Sequence, residues 1–329
     1  MSEQPRLAEI DALKVAGIVT IVLIHVMRPP WDPNVSALEQ WLGHVTRFGV
    51  PAFLFASGFL YASTQPSPRA TLWRRLRRIL VPYVVASLAA HALAATDHAS
   101  LEPRILLRDL ALGSAFGPFY YVFVITGLVL VSPLFERLSA RGLAVLLLVS
   151  LVAQCAVDVF SVWPLHLHWH IRNPALTWSY YLAGWWLRLH ADDLRVFAAK
   201  RNAPLLLATT TLALVCTALA SGDEAAHRVW VRGSAWLGIW AILASVWLAG
   251  TRPDRPPTWL ARTSDATYAI FLYHLFFVLP LRQALPLPPE ALAWVPVLVP
   301  WIAGLLAPAA LAGLAKALLG ERSRLVFGA

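Results

Sequence analysis

Apolar runs long enough to cross a bilayer recur along this chain, and they decide its fold class before any single residue does. A hydrocarbon core about 30 Å thick takes about 20 helical residues. In lipid, only helices and closed barrels satisfy every backbone polar group. Ten runs of roughly this kind can be marked, at 11–28, 41–63, 79–95, 118–135, 142–162, 176–189, 204–221, 229–250, 265–283 and 292–315. They predict an all-α, polytopic membrane protein with about ten transmembrane helices, built as one embedded domain over residues 1–329. Composition agrees: the chain is 58% hydrophobic and 14% charged, with mean hydropathy +0.62. An ordinary soluble domain of this size needs nothing of the sort.

The net charge of +9 then calls for no nucleic acid. Lys and Arg collect in the cytoplasmic loops of membrane proteins and meet anionic lipid there. With the N-terminus inside, 18 of the 27 basic residues fall in inner segments and 7 in outer ones. That asymmetry predicts both termini in the cytoplasm of a multi-pass protein of the cell inner membrane. The 15 Trp residues suit interfacial belts. Cys155 and Cys216 each lie inside an apolar run and imply no disulfide framework. The start, MSEQPRLAEIDALK, lacks a basic stretch before its apolar run and reads as an uncleaved first span.

That first span, IDALKVAGIVTIVLIH, carries chemistry. Lys14 and His25 are eleven residues apart, roughly 20° beyond three helical turns, so one face holds both. They stand roughly 16 Å apart along the helix, about half the hydrocarbon core. Asp11 lies within about 60° of Lys14. Ionisable groups in a membrane helix usually face a protein interior or a water-filled cavity. The plainer reading is a Lys14 that snorkels beside Asp11 and a His25 among headgroups.

Further candidates follow in chain order. The second run holds His44 and Arg47 near its outer end, at a depth similar to His25, then Pro51 as a kink site and Ser57-Gly58 as a close-contact site. Ser57 lacks the G-x-S-x-G surround of a nucleophile. In WRRLRRILVPY, Arg74, Arg75, Arg77 and Arg78 either hold the inside orientation or fork onto the phosphates of a soluble cofactor. EPRILLRDLALG reads as a short amphipathic surface helix. Tyr120 and Tyr121 belong to an aromatic entry that is either an interfacial belt or a sugar-stacking platform. In WPLHLHWHIRNP an extended strand would set His166, His168 and His170 on one face. Three imidazoles suit zinc, but no carboxylate or cysteine accompanies them, and an aromatic lip over a polar substrate fits better. His274 sits near the middle of the ninth run, where a membrane histidine is a functional candidate by default. No Walker loop, HExxH, GxGxxG or internal repeat is present, and no metal site is expected.

Taken together, six segments resemble the acyltransferase-3 family of integral membrane acyltransferases, in order and spacing, along most of the chain. They are IDALKVAGIVTIVLIH, VPAFLFASGFL, RRLRRILVPY, PFYYVFVITGLVLVSPLF, SYYLAGWWL and DATYAIFLYHLFF. The resemblance implies acyl-CoA as cytoplasmic co-substrate and a hydroxyl, usually of a glycan, as acceptor on the outer side. It implies His25 as catalytic base, Lys14 in the place of the family's arginine, and Arg75 and Arg78 as its R-x-x-R pair. Two departures stand out. Lys14 keeps the charge of arginine but loses its bidentate geometry, and Tyr120-Tyr121-Val122 replaces the family's Trp-Phe-Leu.

The expected chemistry is acyl transfer, most simply of acetyl, to a glycan or lipid-linked sugar. His25 takes the hydroxyl proton, Asp11 and Lys14 share its catalytic face, and Arg74, Arg75, Arg77 and Arg78 bind CoA phosphates. His44, Arg47, Ser57, Tyr120, Tyr121 and His274 are the candidate substrate contacts. No activated nucleophile is visible, so direct transfer is expected. The rival is a secondary transporter that uses His25 and Lys14 as a proton or solute relay, though no inverted repeat or pair of broken helices supports it. A third reading is a non-catalytic membrane partner in glycan assembly.

Overall fold

The computed structural model describes residues 6–29, 32–62, 69–94, 102–161, 166–221, 229–251, 257–287 and 294–328. Of the basic residues counted above, Arg228, Arg252 and Arg255 lie outside them. The described residues contain helices and no strand. In order these are α1 (Ala8–Val26), α2 (Ala37–Thr46), α3 (Gly49–Tyr61), α4 (Arg69–Ala94), α5 (Pro103–Leu112), α6 (Tyr120–Phe135) and α7 (Ala140–Asp158). There follow α8 (Leu167–His170), α9 (Pro174–Leu189), α10 (Ala191–Ser221), α11 (Val229–Gly250), α12 (Thr258–Ala284), α13 (Trp294–Leu319) and α14 (Arg324–Phe327).

Seven stretches, among the described residues, are long and apolar enough to cross a membrane. They begin at Arg69, Gly117, Ala140, Lys200, Val229, Thr258 and Trp294. Three of the ten expected spans are not among them, for different reasons. Helix α1 carries Glu9, Asp11 and Lys14 in its first half. The expected 41–63 span is two helices, α2 and α3, that meet at Arg47 and Phe48, and α3 has only 13 residues, about 20 Å. Helix α9 has 16, about 24 Å. Pro51 causes no kink: it occupies the third position of α3, where its missing N–H costs nothing.

These three helices form the interior. Helix α1 packs against α2, α3, α11, α12 and α13. Two side chains pin it by its backbone. Trp301 of α13 donates to the Val19 carbonyl at 3.0 Å, and Arg282 of α12 donates to the His25 carbonyl at 3.1 Å. At its far end, the turn into α2 is fixed by a buried ion pair, Arg28 to Glu39 at 3.0 Å. Glu39 also closes the Ser36 capping box that starts α2. Helices α3 and α9 touch backbone to backbone. A β-carbon on Gly58 would overlap the Tyr181 carbonyl, and one on Gly184 the Phe55 carbonyl. Only glycine permits this approach. Gln154 of α7 accepts from Ser179 at 2.6 Å and donates to the Leu176 carbonyl, which ties α7 to α9.

The EPRILLRDLALG segment does form a helix, α5, ended by Gly113 in the left-handed conformation. The His-rich segment departs from expectation. His166 accepts backbone hydrogen bonds from Trp169 and His170, so the chain turns into α8 rather than extending, and alternate residues no longer share a face. No metal-binding cluster of His, Cys, Asp or Glu occurs among the described residues. Cys155 and Cys216 are free thiols.

Candidate active site

Two cavities lie towards opposite ends of α1, and Phe271 of α12 lines both. The first, about 400 Å³, sits at the N-terminal end of α1. Lys14 enters it from α1, Ser57 and Tyr61 from α3, Arg75 and Arg78 from α4, Tyr121 from α6, and Asp265 and Tyr268 from α12. The arginine selection follows from helix geometry. Helix α4 begins at Arg69, ten residues earlier than the apolar run suggested, so the whole basic segment is helical. Arg75 and Arg78 are i and i+3 and both line the cavity, while Arg74 and Arg77 do not line it. Arg75 is held over the Tyr61 ring at 4.8 Å and donates to the Tyr61 carbonyl.

The second cavity, about 700 Å³, lies at the C-terminal end of α1. His25 lines it together with Thr46 and Arg47 at the α2–α3 break, Tyr120 at the start of α6, Gln154 and Asp158 at the end of α7, His170 of α8, and Tyr180 of α9. The break places Arg47 here: a continuous helix would have carried its side chain past the junction at another angle. The consecutive Tyr120 and Tyr121 thus face different cavities and, with Phe271, make a thin partition. Tyr121 packs edge-on against Phe271 at 5.2 Å and approaches the Ser57 hydroxyl at 3.5 Å.

Against His25 lies His274, ring centres 5.3 Å apart. His274 is fully buried in mid-α12. Its Nδ1 points at the carbonyls of Phe271 and Ile270, at 2.8 and 3.1 Å. Carbonyls only accept, so Nδ1 carries the proton and Nε2 is left as an acceptor. That nitrogen has no hydrogen-bond partner among the described residues.

Asp11 and His44 go elsewhere. Asp11 accepts from Arg6 Nε at 2.6 Å, and Arg6 also reaches Asp265 at 3.0 Å and the Ala261 carbonyl. This knot closes the N-terminal end of α1 onto α12. Hydrogen bonding to Asp11, then to Asp265, raises the Arg6 guanidinium above its ordinary range. His44 is buried in α2 and lines neither cavity.

Of the His-rich segment, His170 lines the second cavity. Asp158, Gln154 and Tyr180 were not singled out in the sequence, although the first two carried a signal: polar residues four apart near the end of an apolar helix. Lys316 and Arg324, which also line the first cavity, did not stand out because they follow the last apolar run.

The described residues thus form a bundle of helices with a cationic cavity at one end, a histidine cavity at the other and aromatic rings between them. A family model described as an acyltransferase domain matches residues 7–314, and the chain belongs to that family, acyltransferase-3. No curated protein and no solved structure matches the chain. The protein is therefore a membrane acyltransferase.

Proposed function

We propose that this acyltransferase moves an acyl group, acetyl in the simplest case, from cytoplasmic acyl-CoA to a hydroxyl of a glycan or lipid-linked sugar on the far side of the cell inner membrane. The observation that carries this reading is the partition. One cavity is lined by Lys14, Arg75 and Arg78, the other by His25, and a single ring, Phe271, stands in both walls. The donor enters by its phosphates on the cationic side, and its thioester arm runs along α1 to the partition. The acceptor enters the His25 cavity, where Tyr120 and Tyr180 offer faces to a sugar and Arg47, Asp158 and Gln154 offer polar contacts. The basic-residue asymmetry supports a cytoplasmic position for the cationic cavity and both termini.

A sugar hydroxyl is too weak an acid to attack at neutral pH unaided, so a base must take its proton as the new bond forms. His25 takes that proton. The hydroxyl oxygen bonds to the thioester carbon, the carbon–sulfur bond breaks, and CoA leaves as a thiolate that collects a proton. The His274 ring packs against His25, ring centres 5.3 Å apart, and supports the orientation of the base. Lys14 stands roughly 16 Å along α1 from His25, so it serves the donor rather than the reacting carbonyl. Arg47 shares the His25 cavity and is the cation placed to steady developing negative charge. Asp11 acts through Arg6 as an anchor for α1.

Purified protein in liposomes, given acetyl-CoA and a mixed glycan pool, tests the reading. Acceptor-dependent CoA release is expected, and His25→Ala should lower it by at least ~100-fold, the low end of general-base contributions. Release that persists unchanged in His25→Ala would remove the base assignment. No release with any acyl-CoA, alongside solute accumulation, would point to transport instead.

A further inference from the structure

The chain does not end where α13 does. At Gly320, φ +56° reverses its direction, a conformation glycine adopts at no steric cost. A 3-10 turn, Gly320–Ser323, and α14 then fold back across the mouth of the first cavity. The returning segment is fastened by specific contacts. Tyr273 donates to the Val326 carbonyl at 2.9 Å, and its ring packs on Phe327 at 5.1 Å. Gly328 lies against Tyr268 and Pro82. Helix α14 thereby bridges α12 and α4, the helices that carry Asp265 and the Arg75/Arg78 pair.

Its consequence is electrostatic. Five cations line this cavity: Lys14, Arg75, Arg78, Lys316 and Arg324. The one lining acid, Asp265, is already paired with Arg6, and Arg324 leans on the exposed Glu321 one turn back. Two of the five cations come from Lys316 onward, past residue 314 where the family match stops. A cavity with this surplus fits a ligand carrying several phosphate charges, and guanidinium forks suit phosphate geometry.

We infer that the C-terminal hook, through Lys316 and Arg324, forms the outer half of the donor-phosphate site and selects donors that carry the nucleotide. This rests on the donor side of the acyltransferase reading and extends it to a part of the chain that the family model does not cover. Lys14, Arg75 and Arg78 meet the inner phosphates; Lys316 and Arg324 close over those nearest the cytoplasm.

The test compares the full-length wild type with Lys316→Ala/Arg324→Ala, using acetyl-CoA and acetyl-pantetheine, which lacks the nucleotide and its phosphates. The double variant should raise KM for acetyl-CoA by about tenfold or more, the loss of one or two charge-assisted contacts. KM for acetyl-pantetheine and kcat with either donor should stay within about twofold. Lys316→Arg/Arg324→Lys should restore the acetyl-CoA value. Calorimetric titration with free CoA gives a readout independent of turnover, with a matching rise in Kd expected. Equal KM changes for both donors, or unchanged CoA affinity in the double variant, would overturn the inference. CoA binding that depends on the hook in a protein that releases no CoA would sink the acyl-transfer reading and leave this one standing. Turnover by wild type with no effect of the double variant would do the reverse.

Discussion

His25 lies against a second imidazole, His274, ring centres 5.3 Å apart. His274 spends Nδ1 on its own helix backbone, so only Nε2 faces outward, and the ring it meets is His25. Replacing His274 with Leu removes that imidazole while keeping the volume near. We expect kcat to fall about tenfold, with KM for the donor unchanged within about twofold, because a misoriented base weakens proton transfer and leaves donor binding intact. Equal losses in both would place His274 in donor binding. Lys14 makes the opposite case. It lines the cationic cavity at one point of charge, so on the proposed donor site Lys14→Arg should retain activity within a few-fold, whereas Lys14→Ala should raise KM for acyl-CoA. A large loss in Lys14→Arg would mean that the cavity is shaped for an ammonium. At this scale the sequence was informative. Helical arithmetic put Lys14 and His25 on one face, and each lines a cavity. Arithmetic could not separate Tyr120 from Tyr121, because which wall each faces depends on where α12 crosses.

At the scale of elements, the α3–α9 contact carries the architecture. Gly58 and Gly184 each face a backbone carbonyl across the interface, and neither carbonyl can move aside as a side chain would. Gly58→Ala should therefore lower the unfolding midpoint in detergent by several degrees, in keeping with ~1–3 kcal/mol for overpacking a tight contact. Gly127→Ala, in an open position on α6, should leave it unchanged or slightly raised. Equal effects would mean that the two helices can separate without cost. The Ser57-Gly58 pair was readable as a close-contact site, because small residues mark helix interfaces in membranes. The break between α2 and α3 was not. An uninterrupted apolar run reads as one span, yet it divides at Arg47 and Phe48, and Arg47 lines the second cavity. Helices α3 and α9 are shorter than the expected spans, and hydropathy does not distinguish a helix that meets lipid from one that meets other helices.

For the molecule as a whole, the proposed transfer requires that the two cavities stay apart until both are filled. Phe271 stands in the walls of both from the middle of α12, buried among Tyr121, Phe119 and Tyr268. Phe271→Ala should join the cavities and let water reach the thioester, so acceptor-independent CoA release should rise severalfold while transfer to acceptor falls. If both fall together, Phe271 only supports packing. The most direct measurement of the central claim uses sidedness. Proteoliposomes of uniform orientation would hold labelled acetyl-CoA on the side of Arg75 and Arg78 and the glycan pool only on the side of His25. The account predicts labelled glycan on the His25 side, with none formed by His25→Ala and none when donor and acceptor compartments are exchanged. Label that appears equally in both arrangements, or only when donor and acceptor share the Arg75 side, would contradict it.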